Sequence, residues 1–115
     1  MKKVLIIEDD WDTLELLRII AKKSNYDVIL SSNVLPFTLV EKIKPDLILL
    51  DHWVNDQIGS DLCYQIKQNA KTHDIPVIII SAVPGIGKIA RESLADGCLE
   101  KPFDIEEIEA VLDSY

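Results

Sequence analysis

Four short, uninterrupted apolar runs constrain the fold of this chain more than any other feature of its sequence. They occupy residues 4–7, 28–30, 47–50 and 77–80. Alternating patterns indicate strands with one face in water, whereas continuous β-branched runs of this length are typical of parallel strands covered on both faces. A weaker fifth candidate at 98–100 stops before Pro102. The sequence therefore predicts a buried parallel sheet.

Between the runs the hydrophobic period changes to about 3.6 residues, which predicts five helices in strict alternation with five strands. Pro36 suits the first turn of the second helix, Asp104 can cap the last helix, and Gly97 suits the left-handed C-cap of the fourth. Right-handed crossovers between such units give an α/β, doubly wound sheet. We predict the flavodoxin-like strand order 2-1-3-4-5.

Length and charge limit the classes of protein that this sequence can represent. The 115 residues predict one domain, and a net charge of −8 without clustered Lys or Arg predicts no direct nucleic-acid partner. Cys63 and Cys98 lie in apolar segments and are expected to be reduced packing residues. The apolar run at the N-terminus is too short for a signal peptide or a membrane span, so we expect no membrane partner and a cytoplasmic location.

Polar residues follow the predicted strands where each strand ends. Glu8 and Asp9 follow the first strand, Asp51 ends the third, Ser81 ends the fourth and Lys101 ends the fifth. Ligands of doubly wound sheets bind beyond these carboxyl ends. Several carboxylates in one pocket repel one another unless a cation neutralises them, and Mg²⁺ prefers carboxylate oxygens. An Asp beside such an ion can act as a nucleophile towards phosphorus, with a lysine and a hydroxyl binding the phosphoryl oxygens.

Four sequence motifs, which occur in order along the chain, contain these residues. They are VLIIEDD at 4–10, PDLILLD at 45–51 with Gly59 eight residues beyond Asp51, IPVIIISA at 75–82 and EKPF at 100–103. Together they resemble the receiver domain of two-component response regulators, and the resemblance covers the whole chain. It implies a single receiver domain over residues 1–115.

The resemblance implies a role for each matched acidic residue. Asp51 would be the phospho-acceptor. Mg²⁺ would be bound by Asp9 directly, by Glu8 mainly through water, by Asp51 and by the backbone carbonyl of Trp53. In this account the protein is a signalling phospho-acceptor that assists its own phosphorylation and dephosphorylation, and it is not an enzyme in the ordinary sense.

The resemblance also implies the partners and the switch. Ser81 stands at the switch hydroxyl position, Lys101 at the phosphate-binding lysine, and the Lys101–Pro102 bond is expected to be cis. The phosphoryl donor would be a sensor histidine kinase or a phosphotransfer protein. A downstream protein effector would bind the face formed by the fourth helix, the fifth strand and the fifth helix.

Two departures from the family pattern leave alternatives open. Cys98 replaces the aromatic residue common three positions before Lys101, and Asn55 replaces a proline, which predicts a looser loop after Asp51. A pseudo-receiver that binds a partner without phosphorylation is the main alternative. A Mg²⁺-dependent phosphatase with an aspartyl-phosphate intermediate is disfavoured because Trp53 stands where a second acid would be needed.

Overall fold

The computed structural model describes residues 1–115 and contains seven strands and five helices. The strands are β1 Lys3–Ile7, β2 Asp27–Ser31, β3 Leu47–Asp51, β4 Trp53–Val54, β5 Gln57–Ile58, β6 Val77–Ser81 and β7 Gly97–Glu100. The helices are α1 Trp11–Lys23, α2 Phe37–Ile43, α3 Gly59–Gln68, α4 Ile86–Glu92 and α5 Ile105–Ser114. None of these helices is long and apolar enough to cross a membrane.

The main sheet has five parallel strands in the order β2-β1-β3-β6-β7. This confirms the predicted order 2-1-3-4-5, because β6 and β7 are the fourth and fifth of the predicted strands. The additional pair, β4 and β5, forms a small antiparallel hairpin directly after β3. Two-residue strands are too short to produce a periodic signal, so hydrophobic periodicity does not predict this hairpin.

Hydrophobic packing covers both faces of the sheet. Along β1, Val4 and Ile6 face a cluster that includes α1 and α5, whereas Leu5 and Ile7 face a second cluster that includes α2, α3 and α4. All four side chains are fully buried. Alternate residues of a strand point to opposite faces, so a strand covered on both sides needs an apolar residue at every position. The continuous runs in the sequence have this cause.

Helix ends agree with the sequence analysis in part. Asp104 caps α5 in a reciprocal capping box with Glu107, as predicted. Pro36 lies one residue before α2 begins, at its N-cap position. The prediction for Gly97 is wrong: it begins β7, and Leu94 takes the left-handed conformation after α4 with φ of 65°. A Cβ atom on Gly97 would lie 3.1 Å from the Ile78 side chain, so close strand packing favours glycine there.

The two cysteines differ in their surroundings. Cys63 is a buried packing residue of α3, and burial raises the pKa of its thiol to about 11. Cys98 is exposed, so the prediction that it packs in the core is wrong. It lies in β7, the edge strand of the sheet, where one side has no neighbouring strand. The apolar residues around Cys98 in the sequence do not reveal this edge position.

Candidate functional site

The carboxyl ends of the central strands bring four of the predicted site residues to one edge of the sheet. Asp51 ends β3 and Ser81 ends the neighbouring β6. Glu8 follows β1, where its backbone N–H extends the pairing with β2 by donating to the Ser31 carbonyl. Lys101 follows β7, and its N–H donates to the Ser81 carbonyl. This edge lies where the strand order reverses between β1 and β3, the usual place for a ligand in such a sheet.

At the centre of the site, two buried carboxylates share one ammonium group. Lys101 Nζ lies 2.6 Å from Glu8 Oε1 and 3.3 Å from Asp51 Oδ2. Glu8 is 1% exposed and Asp51 is 6% exposed. Unpaired charges are costly away from water, and one cation cannot neutralise two carboxylates. With both carboxylates ionised, the site would therefore carry an excess of negative charge.

This excess shifts the titration of the groups that share the site. Burial and the contact with Asp51 raise the pKa of Glu8 to about 8, although Lys101 acts in the opposite direction. Burial lowers the pKa of Lys101, but its contacts with Glu8 and Asp51 outweigh burial and leave that pKa raised. Lys101 therefore stays charged at neutral pH, and the Glu8 carboxyl favours its protonated form until a further positive charge arrives.

The donor atoms suit a divalent cation. One carboxylate oxygen from each of Glu8, Asp9 and Asp51 lies within 4.8 Å of the other two. Glu8 Oε2 is buried and makes no hydrogen bond. An unsatisfied buried carboxylate oxygen carries a desolvation penalty that a bound cation relieves. Oxygen donors of this kind are the ligands that Mg²⁺ prefers, so the residues present fit such an ion.

The acidic residues after β1 divide into two roles. Asp9 is exposed and contributes to the acidic cluster. Asp10 is the N-cap of α1: its carboxylate accepts from the backbone N–H of Thr13 at 3.0 Å and from the Thr13 hydroxyl. A carboxylate at a helix N-terminus satisfies free N–H groups and interacts favourably with the helix dipole. Asp10 is therefore occupied by the helix rather than by the cluster.

The loop after Asp51 is more ordered than the sequence predicted. Its β4–β5 hairpin turns at Asn55 and Asp56, and Asn55 makes three hydrogen bonds to residues outside the hairpin. The expectation that Asn55 loosens this loop is therefore wrong. An asparagine tolerates positive φ and brings both a backbone N–H and a side-chain amide, whereas proline has neither donor.

Gly59 allows the chain to return onto the end of β3. A Cβ atom at this position would lie 2.0 Å from the backbone oxygen of Asp51, a distance that no side chain can tolerate. The Gly59 N–H donates to the His52 carbonyl at 2.6 Å. The glycine in the sequence motif eight residues after Asp51 thus has a steric cause, and it fixes the backbone that carries the Asp51 side chain.

Ser81 and Trp53 border the acidic cluster on neighbouring segments. Ser81 is buried, and its Oγ accepts from the Val83 N–H at 3.0 Å. The Trp53 N–H points towards Asp51 Oδ1 at 3.4 Å, and the residue is half-exposed. Participation of the Trp53 carbonyl in cation binding stays a prediction. The Lys101–Pro102 peptide bond is cis, as the resemblance implied.

The sequence of this chain is similar to those of known signalling proteins. A family model described as the response regulator receiver domain matches residues 4–113. Among curated proteins, the regulator RpaA of Synechocystis is 35% identical over 94% of this chain and 46% of its own length. The response regulator ArlR of Staphylococcus saprophyticus is 37% identical over 94% of this chain and 49% of its own length. The chain thus spans about half the length of these relatives.

A solved structure supports the fold. The receiver domain of the sensor histidine kinase PA1611 from Pseudomonas aeruginosa superposes with a TM-score of 0.87, at 20% identity, over 99% of this chain and 96% of that one. That structure holds a magnesium ion in its active-site cleft. At this identity the likeness establishes the fold alone.

The relatives also correct one prediction. RpaA is described as a DNA-binding transcriptional regulator, which conflicts with the expectation, drawn from net charge, of no direct nucleic-acid partner. The charge argument covers only residues 1–115, about half the length of such a regulator. Net charge over one half of such a regulator does not report on DNA contacts made by its other half, so the expectation of no direct nucleic-acid partner is wrong as an argument from charge.

Proposed function

The chain belongs to the response regulator receiver domain family of two-component signalling, and from this premise we propose that Asp51 accepts a phosphoryl group from a phosphohistidine. The donor is a sensor histidine kinase or a phosphotransfer protein, and residues 1–115 act as a single receiver domain. One observation carries the proposal: the Asp51 carboxylate is buried at a strand end, 3.3 Å from the Lys101 ammonium, within a cluster of three carboxylates.

In the proposed reaction, the side chains supply alignment and charge. A carboxylate oxygen of Asp51 forms a bond to phosphorus while the phosphorus–nitrogen bond of the donor breaks. The donor imidazole leaves with the electron pair of that bond. Lys101, already within hydrogen-bonding reach of Asp51, binds an oxygen of the transferred group, and the Ser81 hydroxyl binds another. Such prepositioned charges favour phosphoryl transfer because they need no rearrangement during the reaction.

Mg²⁺ is the proposed cofactor. The residues that would hold it are Glu8, Asp9, Asp51 and the backbone carbonyl of Trp53. When bound, it supplies positive charge opposite the phosphoryl oxygens. Glu8 and Asp51 would then no longer depend on Lys101 alone for neutralisation, which leaves the ammonium available for the phosphoryl group.

The proposed output is a change in the binding of a downstream protein effector at the face formed by α4, β7 and α5. Ser81 connects the site to that face, because the loop that follows it leads into α4. Its hydroxyl now accepts from the Val83 N–H. A phosphoryl group on Asp51 would offer Ser81 an acceptor, and the loop would move with it.

The proposal is tested with phosphoramidate, a small donor with the same phosphorus–nitrogen bond as phosphohistidine. Intact mass spectrometry should show one added phosphoryl group on the wild type with Mg²⁺ and none on Asp51→Asn. Asp56→Asn is the matched control, because Asp56 is an exposed acid in the same loop and should not affect the reaction. A wild type that binds Mg²⁺ but gains no mass would instead support a pseudo-receiver.

A further inference from the structure

The turn of the β4–β5 hairpin connects three loops at the carboxyl edge of the sheet through a single residue, Asn55. Its backbone N–H donates to Asp9 Oδ2 at 2.9 Å, in the loop after β1. Its side-chain amide donates to the Ser32 carbonyl at 2.7 Å and to Asn33 Oδ1 at 2.8 Å, in the loop after β2. Asn55 thus joins the hairpin after β3 to the loops that follow β1 and β2.

The conformation of the turn explains why these donors are available. Asn55 has φ of 47° and Asp56 has φ of 64°, and a two-residue hairpin loop with positive φ at both positions is the type I′ arrangement. Asparagine adopts positive φ more readily than most residues. Proline could not replace it, because its φ is fixed near −65° and it has no N–H. The same residue therefore permits the turn and supplies the hydrogen bonds.

Asp9 depends on this residue for its orientation. It is exposed, and the bond from Asn55 is the only hydrogen bond that its carboxylate makes. A freely rotating carboxylate loses conformational entropy when it binds an ion, whereas one already held in place loses less. Groups that orient a metal ligand through hydrogen bonds therefore affect the affinity of the metal without touching it.

We propose that Asn55 is a positioning residue that holds Asp9 ready for the divalent cation and links cation binding to the loop at 32–33. This inference rests on the proposed function, because it takes Asp9 as a ligand of Mg²⁺. Asn55 would thus act on the site without being the phospho-acceptor, a member of the acidic pair, the switch hydroxyl or the phosphate-binding lysine. It also gives the loop after β2, which contributes nothing else to the site, a part in the response.

The test compares Mg²⁺ affinity, measured by isothermal titration calorimetry, among the wild type, Asn55→Gly and Asp56→Gly. Asn55→Gly keeps the N–H and tolerates the positive φ but removes both side-chain bonds to residues 32 and 33. Without these two bonds the turn no longer holds the donor to Asp9 in place, so we expect a dissociation constant about three- to tenfold higher, less than the roughly 10- to 100-fold typical when a residue bonded to a metal ligand is itself replaced. Asp56→Gly makes the same change at the adjacent turn position, where no side-chain hydrogen bond is lost, and should stay within about twofold at physiological salt.

Two further measurements separate positioning from general stabilisation. Asn55→Pro removes the backbone donor to Asp9 as well and should weaken Mg²⁺ binding more than Asn55→Gly does. Amide hydrogen exchange at residues 32 and 33 should slow when Mg²⁺ is added to the wild type but not when it is added to Asn55→Gly. A purely structural role would lower the melting temperature of Asn55→Gly and leave its Mg²⁺ affinity unchanged.

The outcomes distinguish this inference from the function on which it rests. Equal Mg²⁺ affinities of the wild type, Asn55→Gly and Asn55→Pro would overturn the positioning role and leave the phospho-acceptor proposal intact. An unchanged affinity of Asn55→Gly alone would overturn the link between cation binding and the loop at 32–33. A wild type that binds no Mg²⁺ would overturn both.

Discussion

At the residue scale, Glu8 and Asp51 are held together at a cost to the stability of the cation-free protein. Both are buried, and Lys101 is the one cationic side chain paired with them. Under the proposed function, this arrangement would serve a site that accepts further positive charge and then a phosphoryl group. Residues placed for such chemistry are commonly not those that would maximise stability.

Asp51→Asn should therefore stabilise the cation-free protein while abolishing phosphorylation. Above about pH 8, where Glu8 is ionised as well, the change removes one of two like charges and leaves Glu8 paired with Lys101, so we expect a gain of about 1 kcal/mol in the free energy of unfolding at that pH. Urea denaturation in EDTA measures this gain. Asp56→Asn, at an exposed position in the hairpin turn, is the control and should change stability by less than about 0.5 kcal/mol. Destabilisation by Asp51→Asn would contradict the claimed repulsion.

The raised pKa of Glu8 predicts a pH dependence of stability. Its pKa is about 8 in the folded protein, compared with an ordinary value of 4.5. Between these values the folded protein holds a proton that the unfolded chain has released, so the free energy of unfolding falls as pH rises from about 4.5 to about 8. We expect Glu8 to contribute a loss on the order of 1–3 kcal/mol over this range in EDTA.

The measurement is denaturation of the wild type and of Glu8→Gln at several pH values. Glu8→Gln keeps the size of the side chain and removes its titration, so the difference between the two proteins isolates Glu8. If the wild type and Glu8→Gln lose stability in parallel as pH rises, the pKa of Glu8 is not raised in the folded protein.

At the element scale, Gly59 determines how the hairpin and α3 follow β3. Gly59→Ala places a Cβ atom 2.0 Å from the Asp51 backbone oxygen, so the end of β3 must shift. We expect a loss of about 2–3 kcal/mol in the free energy of unfolding, typical of overpacking at a rigid site. Thermal denaturation measures it, together with a loss of Mg²⁺ affinity.

Gly87→Ala is the matched control for this glycine. Gly87 lies within α4, where a Cβ atom would meet only the end of the Arg91 side chain at 3.5 Å. Within a helix, glycine is less stable than alanine by about 0.5–1 kcal/mol. The Gly87→Ala variant should therefore be as stable as the wild type or more stable. Similar losses in both variants would indicate that the contact with Asp51 is not responsible.

The elements were predictable from sequence to the extent that they carry a long periodic signal. The central strands β1, β3 and β6 bury both faces and therefore appear as continuous apolar runs, whereas the edge strands β2 and β7 are partly exposed. The hairpin at Asn55 escaped prediction because each of its strands has two residues. The Asn-Asp pair at its turn is a local signal that could have indicated positive φ. No local signal could have indicated that Asn55 donates to Asp9, a residue 46 positions away.

The functional site, too, has features that the sequence predicts and features that depend on the assembled fold. Strand ends identified the acidic residues and Lys101, because parallel strands bring their carboxyl ends to one edge. The distance from Lys101 to Glu8 could not be predicted, because the two residues are 93 positions apart and a long side chain has many rotamers. The exposure of Cys98 depends on which strand forms the edge of the sheet, a property of the assembled fold.

At the scale of the whole molecule, a phosphoryl group at one edge of the sheet should be sensed at the α4–β7–α5 face. We expect beryllofluoride, a mimic of the phosphoryl group, to slow amide exchange in the loop from Ser81 to α4 and along that face. The reason is that Ser81 would donate to the mimic and draw its loop towards Asp51. Exposed Cys98 lies on this face, so an aromatic side chain cannot carry the change there.

Two variants serve as controls for the exchange experiment. Asp51→Asn should show no response to beryllofluoride, and Ser81→Ala should bind it without the change at α4. Protection confined to α2 would contradict this route from the site to the output face.

The proposed function requires that Asp51 itself becomes phosphorylated and that a divalent cation is present. Borohydride reduces an acyl phosphate of aspartate to homoserine, and peptide mass spectrometry then locates the modified residue. After incubation with acetyl phosphate, the account predicts homoserine at position 51 with Mg²⁺ present and at no position when EDTA replaces it. Homoserine at another acidic residue, or at position 51 regardless of Mg²⁺, would contradict it.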